Sequence, residues 1–329
     1  MSSDCIEIAL PSDQNYFPGL LVTMYSIAKN AASSAHLSFN ILDGGIRESS
    51  FELLKESILR VHPKSSYRRF KINEQDYSTF PAFHGNRMTY VRFLLPTLLP
   101  ENEFVIYADS DTLWLADIAD LWRQRDPKVI LQAVYDQLGD KTEEPWFKAH
   151  KIVWRENRYF CNGLLLMNLN AFRRHRIAEK ASEFIANHPD IQFADQSAFN
   201  AVIEDGVKLL PESWNCFTVD VKGGVINESI VLHYANQLPW KRLQWVYLCV
   251  PFMEQWHVFY KEANFGCGYL CLCEYRFYNK FGLPRLIKYL MPLKIFRWPV
   301  FVVLKALGKA EVISAFRFVT NALWTKHNS

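Results

Sequence analysis

The chain has 329 residues, of which 50% are hydrophobic and 22% charged, and its formal net charge is +3. This composition excludes a disordered or collagen-like protein, and the length suits one large α/β domain or two smaller ones. No segment reaches the roughly 18 apolar residues that a membrane-spanning helix requires, and the N-terminus lacks the basic and apolar regions of a signal peptide. We therefore expect a globular protein that stays in the cytoplasm.

Charge is distributed unevenly along the chain. Residues 270–329 contain ten Lys and Arg against two Glu, a net charge of +8, which leaves −5 for residues 1–269. Eleven aromatic residues are interleaved with the basic ones in the same segment. This change of composition predicts one domain over residues 1–269 and a separate C-terminal region over residues 270–329.

The seven cysteines are mostly scattered. Only Cys267, Cys271 and Cys273 cluster, in "CGYLCLC", and no fourth ligand stands at a matching spacing. We expect reduced thiols there and no metal cluster.

Short apolar runs alternate with segments of helical periodicity before the charge boundary. In chain order the predicted strands are IEIAL, LSFNIL, YRRFKI, FVIYAD, VILQAVYD and GLLLMNL. The predicted helices cover residues 19–32, 47–61 and 172–188. This alternation predicts an α/β fold with an open, doubly wound sheet, whose ligands bind at the carboxyl ends of the strands.

The segment "EFVIYADSDTLW", Glu103 to Trp114, places two carboxylates directly after a predicted buried strand of a parallel sheet. In an extended backbone Asp109 and Asp111 point the same way, so two like charges meet in one small volume. A divalent cation would relieve their repulsion, because carboxylate oxygens suit Mg, Mn and Ca. The alternative is a solvated pair at a turn, where Asp and Ser are also favoured.

Two further segments supply polar groups. The loop "ALPSDQNY" offers Asp13, Asn15 and Tyr16, which suit hydrogen bonding to and stacking on a base, although an ordinary turn favours the same residue types. His233 follows an apolar pair in "VLHYANQLPWK"; it is either a structural histidine or a ligand that would shift a carboxylate site toward Mn. Neither Gly-rich phosphate-binding motif occurs, so bound phosphates would need a metal and basic side chains.

Taken in order, the polar segments resemble the motifs of a known family. The matching segments are "SDQNY", "TYVRFLLPTLLPENEFVIYADSDTLWLADIADLW", "YFCNGLLLMNLNAFR", "FADQSAFNAV", "LPESWN" and "HYANQLPWK". Over roughly residues 5 to 241, the series resembles glycosyltransferase family 8, the retaining bacterial lipopolysaccharide galactosyl- and glucosyltransferases related to glycogenin. The resemblance implies a GT-A fold with a Rossmann-like, mostly parallel sheet and flanking helices, a UDP-hexose donor, and Mn2+ or Mg2+.

The resemblance also implies which residues bind the metal and the donor. Asp109, Asp111 and His233 match the metal ligands. Asp13, Asn15 and Tyr16 match positions that contact the uridine, and Arg92 matches an arginine near the donor sugar and phosphates. Three further residues match or adjoin donor-binding positions: Ser110, Asn162 and Lys241.

At the sugar end, Asp136 matches a sugar-contacting aspartate, and Asp195 and Gln196 match the pair near the anomeric carbon. The implied reaction breaks the anomeric C–O bond, so the metal, assisted by Arg92 or Lys241, would stabilise the departing diphosphate. Glutamine is a poor nucleophile, and we therefore expect a front-side substitution in which the departing phosphate oxygen takes the acceptor's proton. Without the resemblance, "FADQSAFN" predicts only a helix with Asp195 in its first turn.

Two segments depart from the family pattern. The family motif Tyr-Phe-Asn-Ser/Ala-Gly reads "YFCNG" here, so Cys161 stands at the asparagine position and Asn162 follows it. The histidine segment has Asn236 in place of a glycine and Leu238 in place of the lysine before Pro-Trp. Either Lys241, after that Trp, reaches back to the diphosphate, or this contact is missing.

We expect transfer of galactose or glucose from a UDP-sugar to a glycan or lipid-linked saccharide, in lipopolysaccharide or other surface-glycan synthesis. The alternatives are a sugar-1-phosphate nucleotidyltransferase, which typically has a Gly-rich and basic N-terminal loop, and a non-catalytic nucleotide-sugar-binding module. The basic, aromatic-rich residues 270–329, with helical apolar spacing near their end, predict binding to an anionic membrane surface. The alternatives are that this segment packs on the catalytic domain or binds nucleic acid; we expect the membrane surface and no nucleic-acid partner. We therefore expect a peripheral protein on the cytoplasmic face of the inner membrane.

Overall fold

The computed structural model describes residues 5–73, 75, 78–83, 87–218, 230–235, 238–240 and 252–265. These residues belong to two compact units that divide between Tyr234 and Ala235. The first unit contains all the strands and helices predicted above. The predicted C-terminal region 270–329 and the cluster of Cys267, Cys271 and Cys273 lie outside the described residues.

The described part of the first unit is built on a seven-stranded sheet. Its strands are β1 (Cys5–Ser12), β2 (His36–Asp43), β3 (Ser65–Lys71), β4 (Phe104–Ala108), β6 (Leu131–Tyr135), β7 (Phe160–Asn168) and β8 (Val207–Leu210), with the short β5 (Thr112–Trp114) outside it. The strand order is β3-β2-β1-β4-β7-β6-β8. Every pair is parallel except the two that involve β7, so the sheet is mostly parallel, as predicted.

Strand β7 runs against both of its neighbours, β4 and β6. The prediction of a parallel environment for β4 is therefore correct on the β1 side and wrong on the β7 side. All nine residues of β7 are buried, which is typical of a strand covered on both faces. Because β7 is antiparallel, its first residues lie beside the carboxyl end of β4, where the Asp109 N–H donates to the Gly163 carbonyl at 2.9 Å.

Helices flank the sheet. Their bounds in the first unit are α1 (Phe17–Asn30), α2 (Glu48–Val61), α3 (Leu95–Leu98), α4 (Ile118–Trp122), α5 (Gln137–Ala149), α6 (Leu169–His175), α7 (Ile177–Asn187) and α8 (Ala194–Val202), with 3-10 helices at Met88–Leu94 and Glu212–Trp214. Helix α1 is buried on nearly all sides, whereas α2 buries a single stripe at helical spacing: Phe51, Leu54, Ser57 and Ile58.

The helix predicted over residues 172–188 is two helices. Helix α6 ends at His175 and α7 begins at Ile177, because Arg176 between them has a left-handed backbone with φ 54°. Arginine is a good helix former, so neither its propensity nor the apolar pattern signals the break.

A second, three-stranded sheet in the described residues brings His233 to the segment Asp109 to Asp111. It consists of β5, β10 (Val231–His233) and β9 (Cys216–Phe217), in that order. Strand β10 is antiparallel to β5, with His233 opposite Thr112. The Tyr234 N–H also donates to the Asp111 carbonyl at 2.9 Å. Backbone pairing therefore fixes the position of the histidine, although it lies far from Asp111 in the sequence.

The described part of the second unit contains the helix α9 (Met253–Ala263). The rings of Trp240 and Tyr260 each stack with that of Trp256, at centroid distances of 5.7 and 5.2 Å. Within the described ranges, no helix has the length and apolar character needed to cross a bilayer. The domain boundary near residue 270 and the helical C-terminal extension remain predictions.

Candidate active site

The DSD turn, Asp109 to Asp111, joins β4 to β5 at the edge of the main sheet. The Ser110 hydroxyl donates to the Pro11 carbonyl near the end of β1, which ties the turn to the neighbouring strand. The Tyr107 hydroxyl donates to Asp109 Oδ1 at 2.8 Å, as alternate side chains of a strand share a face. Ser110 thus holds the turn in place, and its predicted contact with the nucleotide-sugar donor stays a prediction.

His233 completes a cluster with the two carboxylates. Its Nε2 lies 3.3 Å from Asp111 Oδ1 and 4.0 Å from Asp109 Oδ2. Ligand atoms of the three residues all lie within 4.8 Å of one another. The structure therefore brings together the three predicted metal ligands.

The imidazole of His233 is confined by its neighbours. The ring of Phe217 stacks on it at a centroid distance of 5.2 Å. A Cβ on Gly163 would lie 2.3 Å from His233 Cε1, so only glycine permits this approach. Cys161, two residues earlier in β7, lies on the same face of the strand as Gly163, and its thiol contributes to the raised pKa of His233.

Burial and mutual repulsion dominate the electrostatics of the cluster. Burial raises the pKa of Asp109 to about 6, Arg92 opposes this shift, and Asp111 adds to it. For His233, burial lowers the pKa, but Asp111 and Cys161 outweigh it and hold the pKa well above its usual value. Carboxylates forced together in this way favour the binding of a cation.

Two carboxylates and one imidazole are a donor set that suits Mn2+ and related divalent metals. Within the described residues, no hydrogen bond of normal geometry reaches Asp111 Oδ1, although the atom is buried. A buried carboxylate oxygen without such a bond is costly, and coordination of a cation would satisfy it. The residues therefore fit a divalent metal ion.

Arg92 is buried between the two halves of the site. It is 3% exposed, and its guanidinium forms ion pairs with Asp109 at 3.2 Å and Asp195 at 3.1 Å. It also donates to the carbonyls of Asn162 at 2.6 Å and Thr89 at 3.1 Å. These contacts engage all three guanidinium nitrogens, and the predicted contact of Arg92 with the donor sugar and phosphates stays a prediction.

Asp195 lies in the first turn of α8, as predicted, directly after Ala194, whose φ is 47°. One carboxylate oxygen accepts a hydrogen bond from the Thr89 hydroxyl. The other accepts from Asn162 Nδ2 at 2.8 Å and pairs with Arg92. Three donors thus surround a carboxylate that is only 3% exposed.

Gln196 bridges β7 to the start of α5. Its Oε1 accepts the Asn162 N–H at 3.1 Å, and its Nε2 donates to Asp136 Oδ2 at 3.0 Å. The other oxygen of Asp136 accepts the Gly139 N–H at 2.8 Å and caps α5. Both ends of the Gln196 amide are therefore oriented, and the three predicted catalytic residues lie in one network with Asn162.

The loop before α1 lies beside the metal cluster. Burial raises the pKa of Tyr16 to about 12, and the charges of Asp111, Asp109 and Asp13 add to the shift. Asp13 Oδ1 accepts the Tyr16 N–H at 2.8 Å, and its other oxygen accepts from Asn15 Nδ2 at 3.3 Å. The loop is thus an ordered turn that places its aromatic ring next to the carboxylates.

Sequence reasoning missed several supporting residues. Tyr107 stands two positions before Asp109 in one strand, so strand periodicity carried a signal for it. Thr89, Phe217 and Gly163 reach the site through tertiary packing, which no local pattern reveals. Among the predicted residues, Lys241 lies outside the described part of the chain, and its role stays a prediction.

Comparison with known proteins identifies the family. The sequence profile described as Glycosyl transferase family 8 matches residues 7–244. The chain belongs to glycosyltransferase family 8. It is therefore an enzyme of the glycosyltransferase class, and the resemblance found in its motifs is confirmed.

Curated relatives of this family 8 chain are distant. General stress protein A of Bacillus subtilis is 26% identical over 220 residues, which cover 65% of this chain and 75% of that protein. A putative glycosyltransferase of Haemophilus influenzae is 27% identical over 221 residues, covering 66% of this chain and 65% of its own length, just under two thirds. The lipopolysaccharide 1,2-glucosyltransferase of Escherichia coli is 21% identical over 260 residues, with coverages of 73% and 74%.

Solved structures of glycosyltransferases share the fold. The galactosyltransferase LgtC, in complex with donor and acceptor sugar analogs, has a TM-score of 0.66 and 23% identity, covering 78% of this chain and 95% of its own. The bifunctional glycosyltransferase WbbM has a TM-score of 0.65 and 19% identity, covering 79% of this chain and 50% of its own. These similarities establish the predicted GT-A type of fold for this family 8 enzyme.

The burial of Arg92 generates a stability prediction. Arg92→Met leaves Asp109 and Asp195 without their shared cation, so we expect the free energy of unfolding to fall by about 3–5 kcal/mol. Arg68→Met is the matched control, because Arg68 is 44% exposed in its pair with Glu7 and should contribute less than about 1 kcal/mol. Urea unfolding of the metal-free proteins measures both; equal losses would contradict the assigned role of Arg92.

Proposed function

We propose that this family 8 enzyme is a metal-dependent, retaining hexosyltransferase that uses a UDP-sugar, either UDP-galactose or UDP-glucose. The observation that carries the proposal is the cluster of Asp109, Asp111 and His233, joined through Arg92 to the network around Gln196. One half suits a diphosphate with a cation, and the other offers polar groups to a sugar. The E. coli relative named as a lipopolysaccharide 1,2-glucosyltransferase supports the assignment to surface-glycan synthesis.

At the leaving-group end, the protein must stabilise the negative charge that forms when the anomeric C–O bond breaks. Asp109, Asp111 and His233 would hold Mn2+ or Mg2+, and a bound cation would supply Lewis-acid stabilisation of the diphosphate. The turn of Asp13, Asn15 and Tyr16 would receive the uridine. Lys241 remains a candidate for a diphosphate contact.

At the sugar end, positive character develops at the anomeric carbon. Asp195 is unsuited to attack it, because both of its oxygens already accept hydrogen bonds or pair with Arg92 in a buried position. Gln196 is a weak nucleophile and is oriented by Asp136 and Asn162. These contacts support a front-side substitution: the acceptor oxygen bonds to carbon as the C–O bond breaks, and the departing phosphate oxygen takes the acceptor's proton.

The acceptor is proposed to be a saccharide, free or lipid-linked. The net charge of +8 on residues 270–329 supports binding of the enzyme to an anionic membrane surface on the cytoplasmic side. Such binding would bring the site to a lipid-linked acceptor.

Product analysis tests the reaction class. Incubated with UDP-galactose or UDP-glucose and Mn2+, the enzyme should release UDP and no pyrophosphate. EDTA should abolish the release, and Mn2+ should restore it better than Ca2+, because the donor set includes a nitrogen.

Release of pyrophosphate from a sugar phosphate and UTP would instead identify a nucleotidyltransferase. Tight UDP binding without turnover would identify a binding module. Undiminished turnover in EDTA would contradict the metal site.

Paired substitutions test the division of labour between the two halves of the site. Asp111→Asn should reduce turnover at least about ten-thousandfold, since several kcal/mol of charge stabilisation are lost with the cation. Gln196→Ala should cost roughly a hundredfold, the effect of removing one stabilising polar group. Asp117→Asn, an equivalent change at the cap of α4, should retain activity. Steady-state kinetics on folded variants measure these effects, and a larger loss for Gln196→Ala would reverse the assignment.

Liposome sedimentation tests the membrane proposal. The full-length protein should sediment with anionic liposomes at about 0.1 M salt, where screening is moderate, and should be released as the salt concentration rises. Zwitterionic liposomes are the control and should retain much less protein. Absence of binding to anionic liposomes would contradict the peripheral-membrane assignment.

A further inference from the structure

The proposed metal site uses only one of the two ring nitrogens of His233. Its Nε2 faces Asp111 and Asp109, which leaves Nδ1 on the opposite side of the imidazole. The residue is 5% exposed, and among the described residues Nδ1 has no hydrogen-bond partner of normal geometry. Buried polar atoms in native proteins almost always have a partner, so the neighbourhood of Nδ1 must contain a group that fulfils this role.

Cys161 is placed to serve this nitrogen. Alternate side chains of β7 share a face, so Cys161 lies on the same face as Gly163. The ring of His233 packs on that face, since a Cβ on Gly163 would lie 2.7 Å from Nδ1. The Gly163 N–H donates to the Cys161 sulfur at 3.3 Å, so the thiol lies beside the residue on which the imidazole packs. The backbone of β7 therefore fixes the sulfur against the histidine.

We propose that Cys161 is a positioning residue of the metal site: its sulfur accepts a hydrogen bond from the Nδ1–H of His233, which leaves Nε2 unprotonated for a divalent cation. This inference rests on the metal site of the proposed function. Metal-binding histidines generally donate their second N–H to an outer partner, and loss of that partner weakens metal binding about 10- to 100-fold.

A thiol suits this position for an electrostatic reason. An aspartate or glutamate would also accept a hydrogen bond from Nδ1–H, but it would add a further negative charge beside Asp109 and Asp111. Ligand atoms of those two carboxylates already lie within 4.8 Å of each other, so a further negative charge would increase their repulsion. Sulfur supplies an acceptor without that cost.

Metal binding measured in the absence of donor tests the proposal. Titration calorimetry of the full-length protein with Mn2+ compares Cys161→Val, which fills the space without a polar group, with Cys161→Ser, which retains one. We expect the valine variant to bind Mn2+ about 10- to 100-fold more weakly and the serine variant to stay within about threefold of wild type. Cys5→Val, at an exposed cysteine at the start of β1, is the control and should bind as wild type does.

The outcomes separate this inference from the function on which it rests. If wild type binds Mn2+ and the valine variant binds it equally well, or if serine is as weak as valine, Cys161 has no such role. If wild type binds no divalent cation, the proposed metal site fails and the role of Cys161 fails with it. Thermal melting of the metal-free variants verifies folding. Cys161→Ala replaces Cys161→Val if the branched valine side chain prevents folding.

Discussion

The repulsion between carboxylates held in one small, mostly buried volume is the constraint on which the rest of the site depends. Among the described residues, the guanidinium of Arg92 forms ion pairs with Asp109 and Asp195, and the imidazole of His233 lies 3.3 Å from Asp111. A histidine that binds a metal must be neutral, so when His233 loses its proton the three carboxylates exceed the charge of Arg92 by two, and a divalent cation would neutralise this excess. Binding of a cation would therefore relieve the repulsion.

Arg92 explains how the two halves of the site keep their spacing. One buried guanidinium contacts the carboxylate of Asp109 on the metal side and that of Asp195 on the sugar side. Its bonds to backbone carbonyls of Thr89 and Asn162 tie both to the surrounding frame. A planar fork of donors can make these contacts together, whereas lysine could not. Arg92 would thus affect the reaction by holding the two halves of the site at a fixed spacing.

Much of this arrangement was predictable from the sequence, for identifiable reasons. Six of the seven strands of the main sheet were predicted from short strand-like runs, whereas β8 was not, and Asp109 and Asp111 follow from their position at a strand end. The antiparallel direction of β7 was not predictable, because a buried strand has the same composition in either direction. The break at Arg176 and the stacking of Phe217 on His233 depend on tertiary packing. The family motif located Asp195, but only the structure reveals that its oxygens are already engaged.

The two faces of β7 serve different halves of the site, and this limits the changes of sequence that the strand can accept. Cys161 and Gly163 face His233, whereas the intervening Asn162 faces Asp195. Because successive side chains of a strand point to opposite faces, each of these residues belongs to one half of the site. Gain or loss of a single residue would exchange the two faces. Lineages can vary the chemistry here by substitution, but an insertion or deletion would damage both halves in one event. The strand should therefore tolerate a substitution better than a change of its length.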